Sequence, residues 1–137
     1  MTDSNLNPNR PDPIMSVEGA FFWKAADEGR FVVQKCGGCG MLHHPPRAIC
    51  PECLSFKREE AELSGRGTVV SWVMPVQPPA FGFDVPPIVA LIELEEGIRM
   101  VSNVEGADPK TMKVGLPVKV GFAKTRGGHA LPVFHLA

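Results

Sequence analysis

Four cysteines in two matched pairs constrain the fold of this chain more than any other feature. They stand as Cys36-x2-Cys39 and Cys50-x2-Cys53, with ten residues between the pairs. Each pair presents two thiolates on a tight turn, and two such turns facing each other form a tetrahedral metal site. Few apolar residues lie between Cys36 and Arg58, too few to hold a fold alone. The spacing therefore predicts a ribbon stabilised by one metal ion.

We expect that metal to be zinc, one ion per chain, because closed four-thiolate sites usually hold it. Iron in a rubredoxin-like centre is the alternative, since Cys-x2-Cys-Gly and Cys-Pro-x-Cys turns also suit tetrahedral iron. Gly37, Gly38 and Gly40 allow the first turn to curl so that backbone N–H groups point at sulfur. His43 and His44 are expected to pack beside the site, because four cysteines already complete the coordination shell.

No catalytic residues are predicted. Four protein ligands leave no open metal position for a reactive water. No cysteine remains outside the ribbon, and the sequence has no nucleophile elbow, paired-carboxylate pattern or phosphate-cradling glycine loop. The pattern indicates a binding or accessory protein rather than an enzyme acting alone.

The second half of the chain shows the period-two alternation of half-buried strands. Asp108 followed by Pro109 predicts a short helical turn between the third and fourth strands. Five short strands with a helical element at that place are the plan of an OB-fold barrel, with a six-stranded barrel or a sandwich as alternatives. The five strand windows are 68–76, 88–94, 98–104, 118–123 and 131–135.

A helix is predicted over residues 16–29, with Ser16 at its start and Gly29 past its end. Phe21, Phe22 and Trp23 are consecutive and span about 200° of the helix surface, more than one core-facing stripe covers. Two hypotheses follow. The helix is wedged between two parts of its own chain, or it turns one face to a partner.

The predicted organisation is a disordered tail over residues 1–15, the helix and ribbon over 16–60, and the barrel over 61–137. The tail is polar and Pro-rich, without the apolar core of a signal peptide, and no stretch approaches the ~20 apolar residues of a membrane helix. We therefore expect a cytoplasmic protein, where cysteines bind metal more often than they form disulfides. The net charge of −1, without a basic cluster, disfavours nucleic acid and anionic membrane as partners.

With these elements in view, the chain resembles a known acyl-CoA-associated family over about residues 16–137. In that family a helix, a rubredoxin-like zinc ribbon and an OB-fold follow one another. The four cysteines match the family's metal ligands one for one, while Pro87-Ile88 departs from an aromatic that often follows the proline. The strings that carry the resemblance are, in order, FFWKAADEGRFVVQKCGGCGMLHHPPRAICPEC, LSGRGTVVSW, VPPIVALIELEEGIRM and VGLPVKVGF.

The resemblance implies a non-catalytic accessory subunit. Family members associate with thiolase-like enzymes, including lipid-transfer-protein-type thiolases or aldolases, and with MaoC-like enoyl-CoA hydratases. They stabilise the partner, and a contribution to acyl-CoA binding is a further implication. The competing hypothesis is a single-stranded nucleic-acid binder, because ribbons and OB-folds both occur in such proteins, but the chain has no Tyr, two Trp and no basic cluster.

Eight residues are candidates for contact with a partner or ligand. Five are aromatic, three in the helix and two in a Pro-stiffened loop, and aromatic anchors dominate many interfaces. The loop pair has an alternative role as a plug of the barrel mouth. Three basic residues are candidates for CoA phosphates, with solvated surface charge as the alternative. The set is Phe21, Phe22, Trp23, Phe81, Phe83, Arg47, Lys124 and Arg126.

Overall fold

The computed structural model describes residues 3–4 and 9–137, and the rest of the predicted tail lies outside the described residues. The described part contains one α-helix, α1 (Ala20–Asp27), one 3-10 turn (Pro109–Thr111) and nine strands. The strands are β1 (Asp3–Ser4), β2 (Val32–Cys36), β3 (Leu42–His43), β4 (Arg58–Glu62), β5 (Arg66–Val73), β6 (Ile88–Leu94), β7 (Arg99–Val104), β8 (Pro117–Lys124) and β9 (Ala130–Leu136).

Five of the strands close into a barrel. β5 pairs antiparallel with β6 and β8, β6 pairs with β7, and β9 joins β7 to β8. β1 adds to β8 in parallel outside that ring, and β3-β2-β4 form a separate sheet in the ribbon. Alternate residues of β6 are buried, as the period-two pattern required. The five-stranded OB-fold prediction is confirmed.

The turn between the third and fourth barrel strands is also confirmed. Asp108 lies at its N-cap and its Oδ1 accepts a hydrogen bond of 2.9 Å from the Lys110 N–H. Pro109 occupies the first helical position, where a missing N–H breaks no helical bond.

The helix is shorter than the sequence predicted. Its end is right, because Gly29 adopts φ 76° and donates its N–H to Ala26 at 2.9 Å. Its start is wrong by four residues. Ser16 accepts a hydrogen bond from the Gly19 N–H, but it caps a turn before the helix, and Gly19 takes the N-cap position.

Helix α1 is wedged between the ribbon and the barrel, as the first of the two hypotheses held. Phe22 is 6% exposed and belongs to the same apolar cluster as the barrel residue Phe134. On the ribbon side, its ring lies 5.0 Å from that of His44. The predicted boundary at residues 60–61 stays a prediction, since this one cluster spans both sides of it.

Residues 9–12, which we name the strap, are ordered rather than part of a disordered tail. Arg10 is 2% exposed and forms an ion pair with the buried Glu105. Asp12 accepts hydrogen bonds from the Thr125 hydroxyl and, at 3.0 Å, from the Gly127 N–H. The tail prediction was wrong here, because a polar segment becomes ordered when its charges find partners far along the chain.

Acid is expected to loosen the strap. The Thr125 hydroxyl, followed by the Gly127 N–H, lowers the pKa of Asp12 below its ordinary value of 3.8. A lowered native-state pKa contributes stability that is present above the ordinary value and lost as pH falls through the native one. Asp12→Asn should therefore show a smaller fall in melting temperature than the wild type between about pH 7 and pH 2.

The measurement is calorimetry across that pH range. The control is Asp84→Asn, in the exposed loop that carries Phe81 and Phe83, which should be as acid-sensitive as the wild type. Equal acid sensitivity of Asp12→Asn and the wild type would contradict the assigned role of Asp12.

Candidate metal centre and surrounding surfaces

The four cysteine sulfurs lie together at one end of the ribbon sheet. All four Sγ atoms are within 4.8 Å of one another, and all four cysteines are free of disulfides. Sγ of Cys36 lies 3.5 Å from that of Cys53, and Sγ of Cys39 lies 3.7 Å from that of Cys50. A tetrahedral ion with bonds of about 2.3 Å to sulfur has sulfur–sulfur edges of about 3.8 Å. The cluster therefore fits one tetrahedral metal ion.

The two turns that carry the cysteines share one backbone design. The Gly40 N–H donates to the Cys36 carbonyl at 3.0 Å, and the Leu54 N–H donates to the Cys50 carbonyl at 2.9 Å. Both donor residues adopt the left-handed backbone conformation, with φ 80° at Gly40 and 63° at Leu54. Glycine adopts this conformation freely, but leucine does so at a cost of about 1–2 kcal/mol. The second turn is therefore strained where the first is relaxed.

Two backbone N–H groups point at the Cys36 sulfur, as the glycine-rich turn predicted. Cys36 Sγ accepts from the N–H groups of Gly38 and Cys39, at 3.3 and 3.4 Å. These hydrogen bonds, that of Cys39 first, lower the pKa of Cys36 to about 6. The Met41 N–H would lower the pKa of Cys39, but burial and the neighbouring Cys50 thiol raise it to about 12. One thiolate forms readily, and four together need a cation between them.

The ribbon between the two turns is fixed by a buried amide that the sequence did not reveal. Gln34 is buried on β2, and its Nε2 donates to the Arg47 carbonyl at 2.8 Å while its Oε1 accepts from the Arg47 N–H at 2.6 Å. His43 and His44 lie outside the sulfur cluster. Burial lowers the pKa of His44, which keeps its ring uncharged. An amide side chain directly after the apolar run at residues 31–33 was the sequence signal for this clamp.

The three helix aromatics have different surroundings. Phe22 is a core residue rather than the anchor expected from the sequence. Phe21 is half-buried, and the Arg58 guanidinium carbon lies 5.8 Å from its ring centre. Trp23 is half-buried and packs edge-on against Phe22, with ring centres 4.9 Å apart. Phe21 and Trp23 therefore retain surface that a partner can contact, whereas Phe22 does not.

The two loop aromatics lie against the strap and the β8–β9 hairpin. Phe83 is half-buried, with the Arg10 guanidinium 5.4 Å from its ring centre. Phe81 is 75% exposed, and Arg126 from the hairpin lies 5.8 Å from its ring centre. Gly82 between them leaves no room for a side chain, because an added Cβ would lie 2.7 Å from the Asn9 carbonyl oxygen. The strap thus fixes the loop and leaves Phe81 at the surface.

The basic candidates lie on separate elements. Lys124 and Arg126 are at the β8–β9 hairpin, whereas Arg47 is an exposed residue of the ribbon. Lys124 shares a shallow cleft with Asp27 and Glu28, whose carboxylates disfavour an anionic ligand there. In the part of the chain that the structure describes, no helix is long and apolar enough to cross a membrane.

The fold and the sulfur cluster define the class: a rubredoxin-like ribbon with four cysteines placed for a metal ion, joined to a closed OB-fold barrel. The family model of the ChsH2 rubredoxin-like zinc ribbon domain matches residues 23–58, and that of the ChsH2 C-terminal OB-fold domain matches residues 60–123. The chain is also 39% identical over 94 residues to a DUF35 domain-containing scaffold protein of Methanothermobacter thermautotrophicus, covering 67% of this chain and 71% of that protein. The chain belongs to the ChsH2/DUF35 family.

Two further relatives carry enzyme names. A probable enoyl-CoA hydratase alpha subunit of Thermomonospora curvata is 39% identical over 136 residues, which is 99% of this chain but 43% of that protein. A solved structure titled Ltp2-ChsH2(DUF35) aldolase superposes with a TM-score of 0.86 at 38% identity, covering 91% of this chain and 98% of that one. The chain thus spans less than half of the hydratase subunit and nearly all of the matched chain in the aldolase structure.

Proposed function

We propose that this chain is a zinc-binding, non-catalytic accessory subunit of an acyl-CoA-metabolising enzyme, either thiolase- or aldolase-like or a MaoC-like hydratase. The sulfur cluster supports the zinc-binding, non-catalytic part of the proposal. Four thiolates within coordination distance complete the shell of one zinc ion, which leaves no site for a reactive water. The zinc then stabilises the fold of the helix and ribbon unit over residues 16–60, which packs against the barrel unit over residues 61–137.

The accessory role is supported by the relatives. One is named as a subunit of a hydratase, one as a scaffold protein, and one chain occurs in an aldolase structure. The partner of this chain would accordingly be an acyl-CoA enzyme. Phe81 and the exposed parts of Phe21 and Trp23 are the aromatic anchors that such a partner would contact.

Affinity purification of the chain from its native source tests the accessory role. We expect an acyl-CoA enzyme to copurify in a fixed ratio, and we expect that enzyme alone to be less soluble or less active than the pair. Elemental analysis should find about one zinc per chain and no visible absorption. A red protein with an iron-thiolate spectrum would refute the zinc assignment, and a partnerless chain that binds single-stranded DNA at physiological salt would refute the accessory role.

A further inference from the structure

A groove of about 430 Å³ lies where helix α1, the ribbon and the barrel meet. Its volume falls in the range of ~300–1,000 Å³ that is usual for binding clefts. No Asp, Glu, Lys or Arg is among the described residues that line it. Its lining includes Trp23 from the helix, His44 from the ribbon, and Val101, Ser102 and Pro132 from the barrel.

The barrel side of the groove is an incompletely paired seam. In the described part of the chain, backbone pairing of β7 with β9 is limited to Val104 opposite Phe134. Further along, Pro132 has no N–H to donate, and the Ser102 hydroxyl donates to its carbonyl at 3.0 Å instead. Because the parallel register places Val104 opposite Phe134, the β9 residue that would donate to the Val101 carbonyl is Pro132, so this carbonyl borders the groove without a donor from β9.

The groove carries no charged side chain, and one of its donors is unpaired. Among the described residues the indole N–H of Trp23 has no hydrogen-bond partner, and its nitrogen would lie 3.8 Å from a Cβ placed on Gly19. His44 Nδ1 is buried without a partner, and burial lowers the pKa of this ring so that it stays neutral. A charged ligand would lose its hydration here without gaining a counter-ion.

Apolar surface continues beyond the groove. Val101 lines it and is 65% exposed, and Met15 and Val17, on either side of the lining residue Ser16, are also exposed. Exposed apolar patches of this kind mark protein interaction sites as well as ligand-binding grooves. A small molecule would fill the groove and leave this rim in water.

We infer that the groove binds an extended, uncharged, apolar peptide segment of the partner enzyme. The segment covers Val101, donates a backbone N–H to the Val101 carbonyl, and accepts a hydrogen bond from the Trp23 indole through a backbone carbonyl. This inference rests on the proposed function, because it supplies the surface by which the accessory subunit holds its enzyme.

The test compares Val101→Lys with Val114→Lys in the presence of the copurified acyl-CoA enzyme. Val114 is 73% exposed and lies outside the groove, so the two variants add the same charge at similarly exposed sites. Val101→Lys should weaken binding by at least about tenfold, because it leaves an unpaired charge under an apolar segment. Val114→Lys should bind as the wild type does. Trp23→Phe keeps an aromatic ring but removes the indole donor and part of the ring area, and it should weaken binding about 3- to 10-fold.

Zinc content and melting temperature should be equal in all variants, which separates a lost contact from a lost fold. Equal binding of the enzyme by Val101→Lys and the wild type would overturn the inference and leave the proposed function intact. Failure of any enzyme to copurify with the wild type would refute both. A lipid chain as the occupant is distinguished by titration with laurate. Saturable quenching of tryptophan fluorescence by laurate that is lost in Trp23→Phe, with enzyme binding unaffected by Val101→Lys, would replace the peptide by an acyl chain.

Discussion

Cys50→Ser is expected to abolish zinc binding and to unfold the ribbon. Cys50 is buried, and the ribbon between the two turns has few apolar side chains to hold it otherwise. Structural zinc contributes roughly 10–16 kcal/mol to folding of such units, which is as large as the whole stability of a typical domain. The measurements are zinc content by elemental analysis and thermal unfolding, and the variant should lose the metal-dependent part of its transition.

Cys39→His is the matched comparison for this substitution. Cys39 lies at the exposed side of the cluster, and three cysteines with one histidine are also a common zinc ligand set. This variant should keep about one zinc per chain with weaker affinity, whereas Cys50→Ser should not. A Cys50→Ser protein with a full zinc complement and unchanged unfolding would show that the ribbon does not depend on the metal.

Zinc loss has a second consequence, for the groove. His44 lies between the two turns of the ribbon, lines the groove and packs on Phe22 at 5.0 Å. An unfolded ribbon would remove that wall and expose the core ring of Phe22. Chelation of zinc from the assembled complex is therefore expected to weaken enzyme binding even though no metal ligand lines the groove. Metal content and partner affinity would then fall together.

The sequence predicted those features that are encoded locally. The cysteine spacing specified the sulfur cluster, because each pair needs only one tight turn and a fixed number of residues between turns. Period-two alternation predicted the barrel strands, and Asp108-Pro109 predicted the helical turn. Gly29 was correct as a helix terminator for the same reason, since its left-handed φ is a property of one residue.

Features that depend on distant partners were missed. Nothing near Arg10 in the sequence indicates that it would form an ion pair with Glu105, 95 residues away. Likewise three consecutive aromatics gave no indication that Phe22 would be buried while Phe21 and Trp23 kept exposed surface. The seam beside β7 depends on Pro132 standing opposite Ser102, and that register is known only once the barrel has closed.

The ion pair of the strap gives the second large expected effect. Arg10 and Glu105 are both nearly fully buried, so removal of one partner takes the counter-charge away from the other in a low-dielectric site. Glu105→Gln is therefore expected to lower the free energy of unfolding by about 3–5 kcal/mol, measured by chemical denaturation. The exposed pair Arg66–Glu95 is the control, and Glu95→Gln should leave stability nearly unchanged because water already screens it.

A double variant separates the charge from the packing. In Arg10→Met with Glu105→Leu, neither buried charge remains, so stability should recover to near the wild-type value or exceed it. The strap would then still cover Gly82 and Phe83, and Phe81 would keep its place at the surface. If Glu105→Gln alone stayed within about 1 kcal/mol of the wild type, the strap would be a surface segment that the barrel does not need. Because the loop that carries Phe81 rests on the strap, a real loss in Glu105→Gln should be accompanied by faster proteolysis of that loop.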